Sequence, residues 1–321
     1  MRLAGRIAEE HRLDAEWTRS IIARAHHLPE VLELIKPAAQ AAAKNWAAYR
    51  ERFVEPVRVA AGVAFWNSNE RWLEAARLRH GVDPSVIVGI VGVETFYGRI
   101  TGRFRVLDAL TTLALDRPAA GSDRRAFFAD ELGHWLALAD RERIDPATTL
   151  GSFAGAIGLG QFMPGSIARW AVDFDADGRI DMVADSADVI GSIANYLAGH
   201  GWQGGTPTYY EVAPPPAGSE GRTRLLAPDI APSFTPEQFT ESGASLDEAG
   251  RRHDGLLALV ELRNGVTAAP THVAGTANFY AVTRYNRSAY YAMAVIELGR
   301  AVQARRESEA GSVAPVVRSA P

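Results

Sequence analysis

From the first turns of the chain, apolar residues recur at three-to-four-residue spacing, as at Leu13, Trp17, Ile21 and Ile22, with Pro29, Pro37 and Pro56 as interruptions. Residues 3–80 therefore read as several short amphipathic helices. A denser apolar run, VIVGIVGVETFYG, follows Asp83-Pro84, which is an N-cap residue with proline at the first helical position, and ends at Gly98, a C-cap glycine. The spacing predicts one helix that carries Glu94 in its last turn. Further helices are predicted around 108–115, 124–140, 165–172 and 187–198.

The periodicity fades after Gly204-Gly205, where EVAPPPAGSEGRTRLLAPDIAPSFTPEQF is rich in Pro, Gly and Ser. This stretch reads as a loop-rich insertion or small subdomain. LLALVELRNG and THVAGTANFYAVTRY then read as two strands, with an Asn264-Gly265 turn signal and a spacer longer than a tight hairpin needs. SAYYAMAVIELGRAVQARRE reads as a closing helix and SEAGSVAPVVRSAP as a frayed tail. No internal repeat is visible.

Composition narrows the function classes. A 321-residue chain with 47% hydrophobic and 22% charged residues is globular, and a net charge of -4 gives no general electrostatic reason to bind nucleic acid. The absence of cysteine excludes disulfides, thiolate metal sites and thiol nucleophiles. The first residues, MRLAGRIAEEHRLDAEW, form a charged helical pattern without the apolar core of an export signal, and no run reaches the roughly 18–20 apolar residues of a membrane span.

Two segments carry chemistry. Glu94 is preceded by Ile90, Val91 and Val93 and followed by Phe96 and Tyr97. A desolvated carboxyl keeps its proton at higher pH and can give it to a leaving-group oxygen. The residues alone leave open a plainer reading, a helix-end glutamate that reaches solvent or pairs with Arg99. In DFDADGRID, Asp173, Asp175 and Asp177 alternate, Gly178 supplies a sharp turn, Ile180 anchors the loop and Asp181 stands at the ninth position, the pattern of an EF-hand-like calcium loop. The twelfth position is Ala184, so a closing ligand has to come from Asp185 or Asp188; the plainer reading is a solvated acidic turn. A cation held by so many carboxylates has little open coordination and is expected to be structural.

Between these segments, Ser152, Phe153, Gly155, Gly158, Gly160 and Gln161 form a glycine-spaced stretch. It suits either close approach of a ligand to the backbone, with serine and glutamine donating hydrogen bonds, or tight helix packing. Arg284, Tyr285, Asn286, Tyr290 and Tyr291 gather aromatic and amide groups that suit sugar rings or a core edge equally. No HExxH, GxSxG or phosphate-binding GxGxxG pattern occurs.

Taken together, GVETFYGRITGRFRVLDALTTLALDRP, GSFAGAIGLGQFMPGSIARWAVDFDADGRID, SIANYLAGHGW and NFYAVTRYNRSAYYAMAVIELG resemble the membrane-bound lytic murein transglycosylase B family across most of 81–205 and 278–299. The resemblance is looser around Tyr49, Phe53 and Phe65-Trp66. It implies a mainly α (α+β) protein with a lysozyme-like core, an N-terminal α-helical domain and a small antiparallel β subdomain. The expected layout is an α-helical domain over 1–80, a catalytic core with the calcium-type loop over 81–205, a β and loop-rich subdomain over 206–277, a return to the core over 278–306 and a disordered tail over 307–321. It further implies cleavage of the β-1,4 bond between N-acetylmuramic acid and N-acetylglucosamine in peptidoglycan. Glu94 would be the only catalytic acid and base, protonating the glycosidic oxygen and then taking the C6 hydroxyl proton as a 1,6-anhydro ring closes without water.

By the same resemblance, Ser152, Phe153, Gln161, Tyr196, Tyr285, Asn286, Tyr291 and Tyr49 are expected along the glycan, and Asp173, Asp175, Asp177, the Arg179 carbonyl and Asp188 around Ca²⁺. Two departures stand out: the loop is one residue longer before Asp188, and Asp175 replaces a neutral ligand. Peptidoglycan strands are the expected partner, with cell-wall synthesis or remodelling proteins as further candidates. The expected location is the periplasm in soluble form; neither an export signal nor a lipobox cysteine supports a lipid anchor. A lysozyme-type hydrolase and a calcium-stabilised glycan-binding scaffold are the competing readings.

Overall fold

The computed structural model describes residues 2–36, 44–117, 121 and 123–312. The molecule is mainly helical with small antiparallel sheets, as expected. Its packing divides the chain into two interleaved units, one made of 1–41 and 94–196, the other of 42–93 and 197–321.

The first unit begins with α1 (Arg2–His11), α2 (Ala15–Ile22) and α3 (Pro29–Leu34). The second takes up α4 (Trp46–Phe53), α5 (Pro56–Ser68) and α6 (Glu70–His80), and α7 (Pro84–Thr95) then leads back into the first. There follow β1 (Phe104–Arg105), α8 (Val106–Leu115), α9 (Arg125–Glu142), β2 (Leu150–Gly151) and α10 (Pro164–Trp170), after which α11 (Ser186–Gly199) returns to the second unit. That unit is completed by β3 (Tyr209–Ala213), α12 (Glu220–Leu226), α13 (Pro236–Glu241), β4 (Ser245–Leu246), α14 (Glu248–Arg251), β5 (Ala258–Asn264), β6 (Ala268–Gly275), α15 (Ala277–Asn286) and α16 (Ala289–Ser312).

Helices α8 and α9 form the centre of the first unit. In α8 every residue from Val106 to Ala114 is buried, and α9 buries Phe128, Leu132, Trp135, Leu136 and Ala139 at helical spacing. A helix buried on all sides must satisfy its polar groups internally. Asp108 does so by pairing with Arg105 at 3.3 Å and accepting the His26 N–H at 3.0 Å, which ties the α2–α3 connection to α8. Beside this pair, β1 and β2 form a two-residue ladder, Phe104 opposite Gly151 and Arg105 opposite Leu150.

In the second unit, β4, β3, β6 and β5 lie side by side in that order, all antiparallel, with Val260 opposite Val273. One face covers a small core of Leu225, Phe239, Leu246, Leu257 and Leu259. Closer to the chemistry, Gly89 of the VIVGIVGV run has a packing reason. A Cβ on Gly89 would lie 2.1 Å from the Val295 carbonyl oxygen, and one on Gly299 would lie 2.1 Å from that of Ser85. The first turns of α7 are thus pressed backbone to backbone against α16, with Asp83 capping the start through the Ser85 N–H at 2.8 Å.

Three local expectations change. THVAGTANFYAVTRY is not one strand: β6 stops at Gly275 and α15 begins, because the Thr276 side chain caps the Asn278 N–H and also donates to the Pro207 carbonyl at 2.7 Å. The spacer after Asn264-Gly265 is mostly strand, since Ala268 already pairs with Asn264. Helix α16 continues to Ser312 through the first part of the expected tail, while 313–321 and the Pro37 break lie outside the described residues.

Candidate functional site

Glu94 stands in the last turn of α7, half-buried, where the apolar helix runs out. The helix stops at Thr95, three residues before the expected glycine cap, because Phe96, Tyr97 and Gly98 all take left-handed backbone with φ of 51°, 56° and 89°. Two non-glycine residues in succession at positive φ cost energy and persist only where surrounding structure holds them. Thr95 contributes to that hold. Its fully buried hydroxyl accepts the Gly98 N–H at 3.1 Å and donates to the Leu159 carbonyl at 2.9 Å.

The glycine-spaced stretch is a compact double turn in the same unit, not a helix start; α10 begins only at Pro164. Ser152 and Ala156 close the first turn, with the Ser152 Oγ accepting the Ala156 N–H at 3.0 Å and the Ala154 N–H at 3.3 Å. Those bonds use the acceptor side of the hydroxyl and leave its proton to donate. Phe153 sits half-buried in that turn. Gln161 differs from expectation. Its Nε2 donates to the Thr101 carbonyl at 3.0 Å and to the Gly158 carbonyl at 2.9 Å, so the amide protons are used on the backbone and the group offers a carbonyl oxygen. Tyr196 is buried between Phe162 and Trp170, with ring centroids at 5.7 and 6.0 Å, so most of its face is packing surface.

The acidic loop belongs to this unit as well. Carboxylate oxygens of Asp173, Asp175 and Asp188 lie within 4.8 Å of one another, and so do those of Asp175, Asp177 and Asp185. Both late aspartates named from the sequence therefore reach the cluster. Asp188 is buried, and burial pushes its carboxyl above the ordinary range against two short bonds it accepts, from the Asp181 and Phe174 N–H groups at 2.7 Å each. A buried carboxylate facing other carboxylates is costly without a compensating positive charge. The all-oxygen donor set fits a hard divalent cation. Asp181 acts on the backbone instead, where its carboxylate accepts the Val183 and Ala184 N–H groups and shapes the turn that follows. Glu94 belongs to neither aspartate cluster.

In the second unit, Tyr285 and the exposed Asn286 close α15, and Tyr285 stacks on the buried Tyr291 of α16 at 6.2 Å with ring planes 10° apart. Tyr49 of α4 packs with Phe53 at 5.1 Å and Tyr290 at 6.1 Å. Tyr291 is a supporting ring, whereas Tyr285 and Tyr49 are half-buried.

Sequence reasoning passed over two residues in the first unit. Thr95 follows the glutamate but has no pattern of its own. Glu131, buried in α9, accepts the Gly165 N–H at 2.7 Å and so caps α10 from a distant helix; burial raises its carboxyl above the ordinary range. A cavity of about 550 Å³ is lined by Thr101, Trp135, Glu142, Leu150, Ile157 and Met182, among others, and Glu94 is not among them. Size alone does not locate the chemistry.

Comparison with known proteins adds the following. The family described as "Transglycosylase SLT domain" matches residues 2–300. The membrane-bound lytic murein transglycosylase B of Escherichia coli (strain K12) is 37% identical over 310 residues, covering 94% of this chain and 81% of that protein. The structure of E. coli lytic transglycosylase SLT35 in complex with calcium superposes with a TM-score of 0.83 at 37% identity, covering 95% of this chain and 93% of the other. Soluble lytic transglycosylase SltB1 of Pseudomonas aeruginosa gives a TM-score of 0.84 at 35% identity, covering 96% and 100%.

Proposed function

Because this chain belongs to the transglycosylase SLT domain family, we propose that Glu94 is its single acid and base, acting on the glycan strands of peptidoglycan. The chain is a lytic transglycosylase. The observation that carries the assignment is the half-buried carboxyl at the end of apolar α7, in the unit that also holds the Ser152–Gln161 turns.

The chemistry follows from one carboxyl used twice. As the acid, Glu94 gives its proton to the glycosidic oxygen while the muramoyl anomeric carbon gains positive charge. As the resulting carboxylate, it removes the proton of the C6 hydroxyl in the same sugar, and the ring closes. A tethered hydroxyl has a high effective concentration, so no second carboxylate is needed to activate water. The Ser152 O–H and the Gln161 carbonyl are assigned to the glycan as donor and acceptor. In the second unit the faces of Tyr285 and Tyr49 and the Asn286 amide suit sugar rings.

Mass spectrometry of muropeptides released from purified peptidoglycan tests this reading. The expected products are anhydromuramoyl species lighter by one water than hydrolysis products; reducing-end products would make the protein a hydrolase, and none at all a binding scaffold.

Calcium is the assigned ion of the acidic loop, held by Asp173, Asp175, Asp177 and Asp188 with the Arg179 carbonyl. Its role is structural, because the clustered carboxylates do not include Glu94. Chelation is expected to lower the melting temperature by several degrees and added calcium to restore it, since an ion at 100 times its Kd stabilises the folded state by about 2.7 kcal/mol. An unchanged calorimetric melt would argue against occupancy. We place the enzyme in the periplasm, where its polymer lies; no described helix is long and apolar enough to cross a membrane.

A further inference from the structure

At the end of α7 one buried side chain makes two hydrogen bonds. Thr95 is fully buried, and its hydroxyl is used in both senses: it accepts the Gly98 N–H at 3.1 Å and donates to the Leu159 carbonyl at 2.9 Å. The first bond fixes the three left-handed residues that end the helix. The second pins that end to the 158–161 turn. The turn is itself braced, since the Gln161 backbone N–H and side-chain Nε2 both donate to the Gly158 carbonyl, at 3.1 and 2.9 Å, and the Leu159 N–H donates to the Met182 carbonyl at 3.2 Å. The two segments are close neighbours here as well, since a Cβ on Gly98 would lie 2.8 Å from the Leu159 side chain. The residue that precedes Thr95 is Glu94.

We propose that Thr95 is a positioning residue for the reaction: its hydroxyl holds the last turn of α7 against the Leu159 carbonyl and so sets the angle at which the Glu94 carboxyl meets the substrate. This inference rests on the assignment of Glu94 as the acid and base. A proton donor acts only within hydrogen-bond reach and in line, and a displacement on the order of 1 Å costs about 100-fold in rate. Thr95 touches no substrate, so its loss acts on the rate of the step and not on binding. The β-branched Thr is stiff about χ1, which keeps the hydroxyl between its two partners.

The test compares Thr95→Val, which keeps the shape and removes the hydroxyl, with Thr95→Ser, which keeps the hydroxyl. Release of anhydromuramoyl products from sonicated peptidoglycan is measured over a range of substrate concentrations, well below each variant's melting temperature, with Glu94→Gln as the reference. The expected result for Thr95→Val is a kcat lower by about 10- to 100-fold with KM within about twofold, and for Thr95→Ser a kcat within about threefold of the parent protein. The positioning role is overturned if Thr95→Val keeps full kcat, if the change falls on KM alone, or if the serine variant is as slow as the valine one. Failure of the underlying assignment looks different: Glu94→Gln itself would then release anhydromuramoyl products.

Discussion

Glutamine at position 94 is expected to leave the fold intact and to stop turnover, with product release falling by at least about 1000-fold. The amide has nearly the size of the carboxyl and is neutral, so a half-buried site at a helix end accepts it without new desolvation cost. It can neither give up a proton to a glycosidic oxygen nor take one from a hydroxyl, and in a mechanism with one carboxyl both steps are lost together. Product analysis and a circular-dichroism melt on the same sample read the two halves of the expectation. A variant that is inactive because it is unfolded would not count, and one that still forms anhydro products would remove Glu94 from the mechanism.

The largest expected effect on stability lies at Gly158. Its φ is 72°, and a Cβ there would sit 1.7 Å from the Met182 carbonyl oxygen. Alanine must therefore adopt left-handed backbone, at about 1–2 kcal/mol, and must also push apart two main-chain segments, which overpacking data place at about 1–3 kcal/mol. Gly158→Ala is expected to lose roughly 3 kcal/mol or more of unfolding free energy in urea. Gly201→Ala provides the contrast. That glycine also has positive φ, 88°, but nothing lies within 4 Å of its Cβ position, so only the conformational cost applies. Equal losses at both sites would show that the close approach to Met182 contributes nothing. Because Leu159 follows Gly158, activity of Gly158→Ala should fall further than its folded fraction explains.

Much of this was legible in the chain. Helix α7 shows itself by its Asp-Pro start and apolar run, and the acidic loop by alternating aspartates before a glycine, since both are local patterns imposed by backbone geometry. The end of α7 was not legible. Gly98 looks like the cap, yet the helix stops earlier, where Phe96 and Tyr97 take left-handed backbone, and its end is bonded through Thr95 to Leu159, a residue far away in sequence. Nor did the chain show that the Gln161 amide protons are used internally, which depends on Thr101 arriving beside it. The conversion of strand to helix at Thr276 was missed for the same reason, as that residue's second bond goes to Pro207. Tyr196 and Tyr291 illustrate a different limit: residue type marks an aromatic, and only the fold tells whether its face is open or covered.

The interleaving of the two units bears on biosynthesis. Residues 1–41 leave the ribosome before the segment they pack with, 94–196, which is made only after a stretch that belongs to the other unit. That other stretch, 42–93, waits in turn for 197–321. Neither unit is contiguous, so neither can be completed by the nascent chain before later segments emerge, and exposed apolar helices such as α5 and α7 must stay free of aggregation in the interval. Cutting the gene at a unit boundary would thus separate halves of a core, and a shortened chain ending near 196 should accumulate as an aggregate or with a holdase.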